Sequence, residues 1–523
     1  MKIQKIGNIS RYITAFLLLL SIASFGQDST RSEAFKDNQP RRRPALGVRY
    51  PSYSLIVGYL LVTEANRGDP FAQHELGIRY LLGSGFPADT VKAIYWLRKA
   101  ADQNLPAARF NYGILLYNGI GVPWNPFDAF QNFKSAGMAG LPEAQFATGL
   151  LYTDNLALNR DMNKAYHFFK LSADASYKPA KEALLQMVKN GFTPPTDSLT
   201  KSEVEKSLAK KFDEAPLINP NWDLDFYDFD MNKDRTTKTS KDITELLNRK
   251  PDELKRYFGL DELTPASMPK DSSGRGLLTF AAESGSPEAL LIFARSYEEG
   301  AITEKNLVLA AVYYMRAYRL GSNKAGQHLY QMIESKEFES LLTQRVAHND
   351  PDAMYAWAGI SALGFQSKIS DEQALEFLNK AVEKKHVPSM IEIGLLYSSG
   401  KLVKKDQAKA IEYWTMAKNL GSKEAAVRIA LSSIMDSTSK NVIADINVLK
   451  QIADEGSVFA QTALGFCYEK GSGVKENKAL AVKFYRKAAQ RGNEAAYNSL
   501  KRMHDEIRPY DDEYKIYEPE TPN

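Results

Sequence analysis

The sequence predicts an all-α protein: an α/α superhelical solenoid of about nine helix–loop–helix repeats of 36 residues, set in two blocks that an irregular insertion separates. Three observations lead to this prediction. Alanine recurs with a period of 36 residues, glycine recurs at a fixed distance after it, and a side chain that can cap a helix recurs after the glycine. A helix–loop–helix unit of this size buries its apolar face only against stacked neighbours, so a run of such units favours a solenoid.

An alanine lattice sets the period. One alanine opens each unit and a second follows it by 21 residues, as Ala460 and Ala481 do. Small side chains at helical spacing let two helices approach closely, with larger side chains filling the gaps. Most opening positions are 36 residues apart, although one step is 28 and another 35; they are Ala72, Ala108, Ala144, Ala180, Ala289, Ala325, Ala353, Ser389, Ala425, Ala460 and Ala496.

Large side chains follow the second alanine by three and four residues, as Phe484 and Tyr485 follow Ala481. One aromatic side chain per unit at a fixed helical position is how the core of a repeat array is filled. We therefore expect these residues in the core rather than in a ligand-stacking site. The other pairs are Trp96-Leu97, Phe168-Phe169, Tyr313-Tyr314, Phe377-Leu378 and Tyr413-Trp414.

The loop inside each unit carries signals for a helix end and a helix start. Eleven residues after the opening alanine, a glycine suits the left-handed conformation that ends a helix; these glycines are Gly83, Gly119, Gly300, Gly364, Gly400 and Gly471. Six residues later stands a side chain that can accept hydrogen bonds from the first free N–H groups of the second helix. These predicted N-caps are Asp89, Asn125, Asp161, Asn306, Ser370, Asp406 and Asn477.

Residues 1–26 have the composition of a secretory signal. Basic residues up to Arg11 precede an apolar core at residues 12–23, and small side chains including Gly26 predict cleavage before Gln27. The apolar run is too short for a membrane span, and we expect no transmembrane segment after cleavage. The sequence therefore predicts an exported protein, located in the periplasm or outside the cell.

Composition excludes several classes of function. The formal charge of +4 includes three basic and no acidic residues of the signal, which leaves +1 and no electrostatic footprint for nucleic acid. One cysteine, Cys467, rules out an internal disulfide framework. No two of the six histidines have metal-ligand spacing on one helix, and no strand and Gly-Lys-Ser/Thr flank the loop glycines as in a phosphate loop. We expect no metal and no cofactor.

The domain organisation follows from where the repeat pattern begins and ends. The blocks are separated by a segment rich in proline, serine, threonine and charge, and the C-terminal tail is charged and expected to be loose. The predicted parts are a signal peptide at 1–26, a flexible leader at 27–50, a first repeat block at 51–190, a non-repeat insertion at 191–273, a second repeat block with a capping helix at 274–507, and the charged tail at 508–523.

Two groups of residues are candidates for partner binding. The insertion holds an acidic, aromatic segment with Trp222, Phe226 and Tyr227, which is either a partner surface or a segment that folds back on the solenoid. In the first block, positions one and three after the opening alanine change chemistry from unit to unit, which suits peptide recognition as well as a solvated face. These positions include Gln73, Glu75, Arg109, Asn111 and Gln145.

The unit from Ala460 to Gly492 resembles the Sel-one-like (SLR) repeat family, long-loop relatives of tetratricopeptide repeats. The resemblance rests on Ala460-x-x-x-Leu-Gly-x-x-Tyr-x-x-Gly-x-Gly-Val474, followed by Ala481 and Tyr485-Arg-Lys-Ala-Ala-x-x-Gly492; residues 70–180 match almost as well. It implies an α/α superhelix that serves as an adaptor or scaffold for protein complexes. We therefore expect an exported bacterial scaffold that binds other proteins or peptides in the cell envelope.

The resemblance also brings an alternative, because some bacterial SLR proteins are described as penicillin-binding or β-lactamase-like hydrolases. Ser198 and Ser207 each begin a Ser-x-x-Lys sequence in the insertion. Neither a Ser-Asp-Asn nor a Lys-Thr-Gly element accompanies them, and Lys238-Thr-Ser240 has the wrong third residue. The sequence therefore favours a protein that is not an enzyme. Replacing both serines separates the alternatives, since only a hydrolase loses activity.

Overall fold

The computed structural model describes residues 55–189, 191–194, 240–260, 263, 267–365, 368–436 and 439–516. Within these ranges the chain forms 24 α-helices, a short 3-10 turn at Asp512–Tyr514 and no strand. The prediction of an all-α repeat fold is confirmed. None of the helices in the described ranges reaches the length and apolarity that a bilayer-spanning segment requires.

The described residues divide into two compact units. The first unit contains the described residues between 55 and 194 together with 500–516, and the second contains those between 240 and 499. The sequence placed residues 500–507 with the second repeat block. In the structure these residues belong to the first unit, although they continue a helix that begins in the second.

The first unit is built from consecutive antiparallel helices. They are α1 (Leu55–Arg67), α2 (Pro70–Leu82), α3 (Thr90–Asp102), α4 (Pro106–Asn118), α5 (Pro126–Met138), α6 (Pro142–Thr153), α7 (Met162–Asp174) and α8 (Lys178–Lys189). Helices α2 and α3, α4 and α5, and α6 and α7 are the paired helices of three complete repeats, since each pair packs together most extensively. Their shared core contains Phe110, Phe133, Ala144, Leu150 and Phe169.

The second unit continues the same alternation with more helices. They are α9 (Ser240–Leu247), α10 (Pro251–Tyr257), α11 (Gly274–Glu283), α12 (Pro287–Glu299), α13 (Leu307–Arg319), α14 (Asn323–Ile333), α15 (Lys336–Ala347), α16 (Pro351–Leu363), α17 (Asp371–Glu383), α18 (Val387–Ser399), α19 (Gln407–Asn419), α20 (Lys423–Met435), α21 (Val442–Asp454), α22 (Val458–Lys470), α23 (Lys478–Gln490) and α24 (Glu494–Ile507). The predicted insertion at 191–273 contains α9 and α10, whose Ile243 and Leu254 are fully buried in the core of this unit.

The helix boundaries arise from the predicted capping residues. All seven predicted N-caps accept a hydrogen bond from the backbone of their helix, for example Asp161 from the Lys164 N–H at 2.9 Å and Asn477 from the Leu480 N–H at 3.0 Å. The six predicted loop glycines all end a helix in the left-handed conformation, with φ between 60° at Gly119 and 82° at Gly364. These predictions are confirmed.

Only one member of each predicted core pair lies in the core. The residue four positions after the second alanine is buried in every unit, as Phe133, Trp414 and Tyr485 show. The residue before it is half-buried, and in four units it is an aromatic ring that stacks on a tyrosine of the first helix; the ring centroids of Tyr468 and Phe484, for example, are 5.7 Å apart. The sequence prediction is therefore corrected for the first member, because its helical position faces the edge of the helix pair.

In the second unit, the turns between repeats meet turns that lie ten helices further along. The Val458 N–H, at the start of α22, donates to the Ser284 carbonyl oxygen at 3.1 Å, after α11. The Glu494 N–H, at the start of α24, donates to the Gly321 carbonyl oxygen at 3.1 Å, after α13. The helix array of this unit therefore returns on itself and buries its first helices, so that nearly all of α12 and α22 is shielded from solvent.

The C-terminal tail is ordered as far as the structure describes it. Residues 508–516 belong to the first unit, and Tyr514 is 3% exposed. The expectation of a loose tail is wrong at Glu513 and Tyr514, because the tyrosine ring packs on Phe127, and Gln131 donates hydrogen bonds to both side chains.

Candidate partner-binding surface

The first helices of the repeats place Gln73 and Gln145 in the interior. Each amide is at most 4% exposed and donates at 3.0 Å to a backbone carbonyl eight residues earlier, Ala65 for Gln73 and Gly137 for Gln145. Gln461 has the same partner geometry with Ala453, at 3.4 Å. The assumption that this position faces solvent or a groove is corrected, because the amide satisfies a carbonyl at the end of the preceding helix.

Asn111 is also buried, and its partner lies in the preceding repeat. Its amide nitrogen lies 2.8 Å from Nε2 of His74, and both side chains are at most 1% exposed. Burial lowers the pKa of His74 to about 4, so the imidazole is neutral near pH 7 and its Nε2 can accept this hydrogen bond. Asn111 therefore links two repeats and is not presented to a partner at the surface.

Glu75 and Arg109 are the two first-block candidates that keep partial exposure. Glu75 pairs with Arg79 one turn later at 2.8 Å, and a guanidinium N–H of Arg109 donates to the Asn104 side chain. Each charged group therefore already has a partner within this chain, while its side chain stays partly exposed to solvent. Partner binding by Glu75 and Arg109 stays a prediction.

The remaining sequence candidates lie outside the described residues. These are Trp222, Phe226 and Tyr227, and the two serines of the hydrolase alternative, Ser198 and Ser207. Their predicted roles stay predictions.

The part of the chain that the structure describes holds no group of three or more histidine, cysteine, aspartate or glutamate side chains placed to bind a metal ion. Cys467 is fully buried in α22, and burial raises the pKa of its thiol to about 12. The thiol is therefore protonated at neutral pH and packs as a small apolar group, as the sequence indicated.

The second helices carry a variable surface position that sequence reasoning missed. Two residues after the second alanine of a unit, the side chain points outward in most repeats, and its chemistry changes from one unit to the next. We call this set the outer register; its exposed members are Tyr95, Gln131, Glu376, Glu412 and Lys483. The signal was available in the sequence, because this position varies while the alanine two residues earlier does not.

Tyr95 makes the outer register apolar on α3. Its ring is 50% exposed, and the exposed side chain of Val91 lies one turn earlier on the same helix. The Lys99 ammonium lies 4.7 Å from the centroid of the Tyr95 ring and 5.6 Å from that of Trp96. Aromatic side chains are enriched in protein–protein interfaces, so this exposed ring is a candidate contact residue.

Comparison with known proteins places these helix pairs in a family. The model of the Sel1 repeat matches seven segments: residues 70–105, 106–141, 142–177, 287–322, 351–386, 387–422 and 458–493. Each matched segment begins at the residue where the structure begins a first helix, and contains the second helix that packs on it.

Among curated proteins, the chain is 28% identical over 155 residues to the chitin synthase regulator SKT5 of Saccharomyces cerevisiae. That similarity covers 28% of this chain and 22% of the yeast protein, so the chain matches less than a quarter of that relative's length.

Three solved structures are similar to parts or most of the chain. A Sel1 repeat protein from Oxalobacter formigenes is 32% identical, over 25% of this chain and 98% of its own, with a TM-score of 0.24. A protective antigen of uropathogenic Escherichia coli with an SLR fold is 21% identical; the similarity covers 86% of this chain and 82% of the antigen, with a TM-score of 0.29. Yeast Tom70 is 14% identical; the similarity covers 87% of this chain and 98% of Tom70, with a TM-score of 0.26. With seven matched units on the helix pairs described above, the chain is a Sel1-repeat protein.

Proposed function

We propose that this chain is an exported scaffold that binds other proteins in the cell envelope through the outer faces of its repeats. The observation that carries the proposal is the outer register. Five exposed side chains occupy equivalent places on five second helices and comprise an aromatic ring, an amide, two carboxylates and an ammonium group.

A repeat lattice of this kind separates folding from recognition. The alanines, glycines and N-caps fix the backbone of every unit, so that an exposed position on the second helix varies without disturbing the packing. Because the same backbone presents different chemistry in successive units, a partner can be selected by the order of those side chains along the array. The exposed Tyr95 ring adds an aromatic anchor of the type that dominates protein interfaces.

Export is supported by residues 1–26 of the sequence, with their basic start, apolar core and small side chains before Gln27. We expect the mature protein in the envelope fraction to begin at Gln27. Mass spectrometry of the N-terminal peptide after cell fractionation tests this directly. A protein that keeps Met1 and stays with the cytosolic fraction would contradict the export part of the proposal.

Site-specific photo-crosslinking in cells tests the interaction part. A photoreactive residue at Tyr95 or Glu376 should give a discrete crosslinked product whose partner mass spectrometry identifies. The matched control is the same substitution at Asp102, an exposed position at the end of α3 that lies outside the outer register. Products that are absent from both positions, or equal to those at Asp102, would overturn the assignment of the outer register to partner binding.

A further inference from the structure

The surface that contacts the C-terminal tail combines apolar and polar side chains as a peptide-binding site does. We call it the tail site; it is formed by α5, the loop before it and the loop after α6, and its residues are Trp124, Phe127, Phe130, Gln131, Lys134 and Leu156. All of them belong to the first unit, as do the tail residues that contact them. Gln131 is a member of the outer register, so the tail site lies at one of the positions whose chemistry changes between repeats.

Tyr514 is the apolar anchor of the tail. Its ring stands edge-on to Phe127 and Phe130, with ring centroids 5.3 Å and 6.2 Å apart. The Gln131 amide donates to the Tyr514 hydroxyl at 2.6 Å. Burial raises the pKa of this phenol to about 12, so at neutral pH it keeps its proton and lies 3.5 Å from the Phe127 carbonyl oxygen, which can accept it. A tyrosine therefore meets both an apolar wall and polar partners at this site.

Glu513 supplies the charge that complements the site. Its carboxylate pairs with the Lys134 ammonium, and its second oxygen accepts from the Gln131 amide at 3.0 Å. The Lys134 ammonium also lies 5.6 Å from the centroid of the Phe130 ring. The Gln131 amide thus contacts both residues of the Glu513–Tyr514 pair, and Lys134 adds an ion pair to Glu513. This arrangement favours an acidic residue followed directly by a tyrosine.

The tail is attached at two places with an exposed stretch between them. Upstream, the Arg508 guanidinium donates to the Leu156 carbonyl oxygen, and the imidazole of His504 lies edge-on to Trp124 at 5.1 Å. Residues 510–512 are exposed, and the Tyr510 side chain is fully so. Contact resumes at Glu513 and Tyr514. The pair is therefore held by its own side chains, in the way an aromatic anchor with a charged neighbour holds a bound peptide.

We propose that the tail site recognises an acidic segment of a partner protein in which a glutamate directly precedes a tyrosine, and that the chain's own Glu513–Tyr514 occupies the site until such a segment displaces it. This inference rests on the proposed function and gives it a partner chemistry. A tethered occupant competes at an effective concentration of about 1 mM, so a partner gains access by binding more tightly or when the tail is withdrawn.

Peptide binding to the full mature chain tests the proposal. The probe is a fluorescent peptide with the sequence of residues 508–516, and the variant Glu513→Ala/Tyr514→Ala empties the site. Fluorescence anisotropy should show that the variant binds the probe at least about tenfold more tightly than the unmodified chain, because the intramolecular competitor is gone. A probe in which alanine replaces the tyrosine should not bind.

Charge reversal identifies the site of binding. In the emptied variant, Lys134→Glu should weaken binding of the probe by about tenfold, and a probe with lysine in place of the glutamate should recover it. The matched control is Arg98→Glu, which changes the equivalent position of α3 in the preceding repeat and should leave binding unchanged. Absence of binding by the emptied variant, or binding that ignores Lys134→Glu, overturns the proposal.

A second experiment tests the proposal if the emptied variant does not fold. A protease site inserted after Tyr510 allows the folded chain to be cut, leaving the labelled tail bound without a covalent link. Excess probe should then release the tail. If the probe cannot replace the cut tail, the tail is a fixed part of the core and the proposal is overturned. The proposal is also overturned if the cut tail dissociates and the probe does not bind in its place.

The outcomes also separate this inference from the proposed function. Stable dimers of the unmodified chain that exchange tails would make a second copy the occupant and overturn the proposal. If peptide binding fails while crosslinks at Tyr95 or Glu376 persist, the tail-site inference is wrong and the scaffold function stands. If the crosslinks also fail, the proposed function falls with it.

Discussion

A glycine opposite a large side chain is the residue-scale rule of this repeat. A Cβ atom placed on Gly113 would lie 2.6 Å from a ring carbon of Phe133, and one on Gly465 would lie 2.5 Å from a ring carbon of Tyr485. Both distances are shorter than any van der Waals contact between carbon atoms. The glycine five residues after the opening alanine therefore sets how closely the two helices of a unit approach, and the ring fills the space that this leaves.

Replacing Gly113 with valine should lower the free energy of unfolding by about 1–3 kcal/mol or more, because the branched side chain overpacks against Phe133. Gly113→Ala should have a smaller effect, since Ala294 occupies the same register opposite Tyr314. The double variant Gly113→Ala/Phe133→Leu should recover stability, because it copies the pair formed by Ala358 and Leu378. Urea unfolding followed by circular dichroism measures these differences, and an unchanged midpoint for Gly113→Val would contradict the packing.

His74 should make the first unit sensitive to acid. Its pKa is about 4 in the folded chain and near 6.5 when unfolded, so between these values the unfolded state binds more protons. The contribution of the neutral His74 to the free energy of unfolding is therefore fully present above pH 6.5. It falls as the pH decreases towards 4, and about 2 kcal/mol of it is lost at pH 5. Urea midpoints at pH 7.5 and pH 5 should differ less in His74→Gln than in the unmodified chain. An equal difference in both would show that His74 is not the titrating group.

At the scale of elements, some helix pairs are joined by a hydrogen bond between side chains as well as by packing. The Tyr485 hydroxyl of α23 donates to the Glu469 carboxylate of α22 at 2.9 Å, and Tyr314 of α13 donates to Glu298 of α12 in the same way. Both pairs are separated by 16 residues. A tyrosine at this second-helix position therefore occurs together with a glutamate on the first helix, because the hydroxyl of a buried tyrosine needs a hydrogen-bonding partner.

Removing the Tyr485 hydroxyl should destabilise the second unit more than replacing both members of the pair. Tyr485→Phe leaves the Glu469 carboxylate, which is 6% exposed, without its hydroxyl donor, and we expect a loss of about 1–3 kcal/mol. In the variant Tyr485→Phe/Glu469→Leu, neither polar group remains, so part of that loss should return. A double-mutant cycle from urea unfolding gives the coupling energy. A coupling near zero would show that the Tyr485 hydroxyl does not stabilise this carboxylate, which also pairs with Lys470 at 2.7 Å.

At the scale of the whole molecule, the second unit departs from a simple linear array. Repeats in a solenoid usually contact only their neighbours, so unfolding can proceed from the ends. Here, Asn493 in the turn before α24 donates at 2.7 Å to the carbonyl oxygen of Leu320, a residue 173 positions earlier in the chain. Contacts of this kind join the first and last repeats of the unit and should make their unfolding cooperative.

Asn493→Ala should loosen that closure. The substitution removes the hydrogen bond to Leu320 and the cap that Asn493 gives to the Ala496 N–H at 2.8 Å. Hydrogen exchange should show reduced protection in α13 as well as in α24, although α13 is distant in sequence. The control Asn477→Ala removes only the cap of α23 and should affect that helix and its neighbours. Protection lost from α24 alone would contradict the cooperative closure.

The sequence by itself determined the repeating features of this protein. The period, the helix ends and the N-caps depend on a few residues close together in the chain, such as Gly119 and Asn125, whose local chemistry acts in the same way in every unit. The large side chains at the fixed core position followed from the same logic, since a residue four positions after an alanine on an amphipathic helix faces the same neighbour each time.

The tertiary structure decided which polar residues are available. Gln73, Asn111 and Gln145 vary like surface residues, yet they lie inside the fold because carbonyl groups and an imidazole from other helices meet them there. The tail offers the reverse case, since its charged sequence indicates solvent exposure and Tyr514 is buried by α5, more than 370 residues earlier. Burial of a polar side chain depends on hydrogen-bonding partners from distant parts of the chain, and these partners cannot be predicted from the neighbouring residues in the sequence.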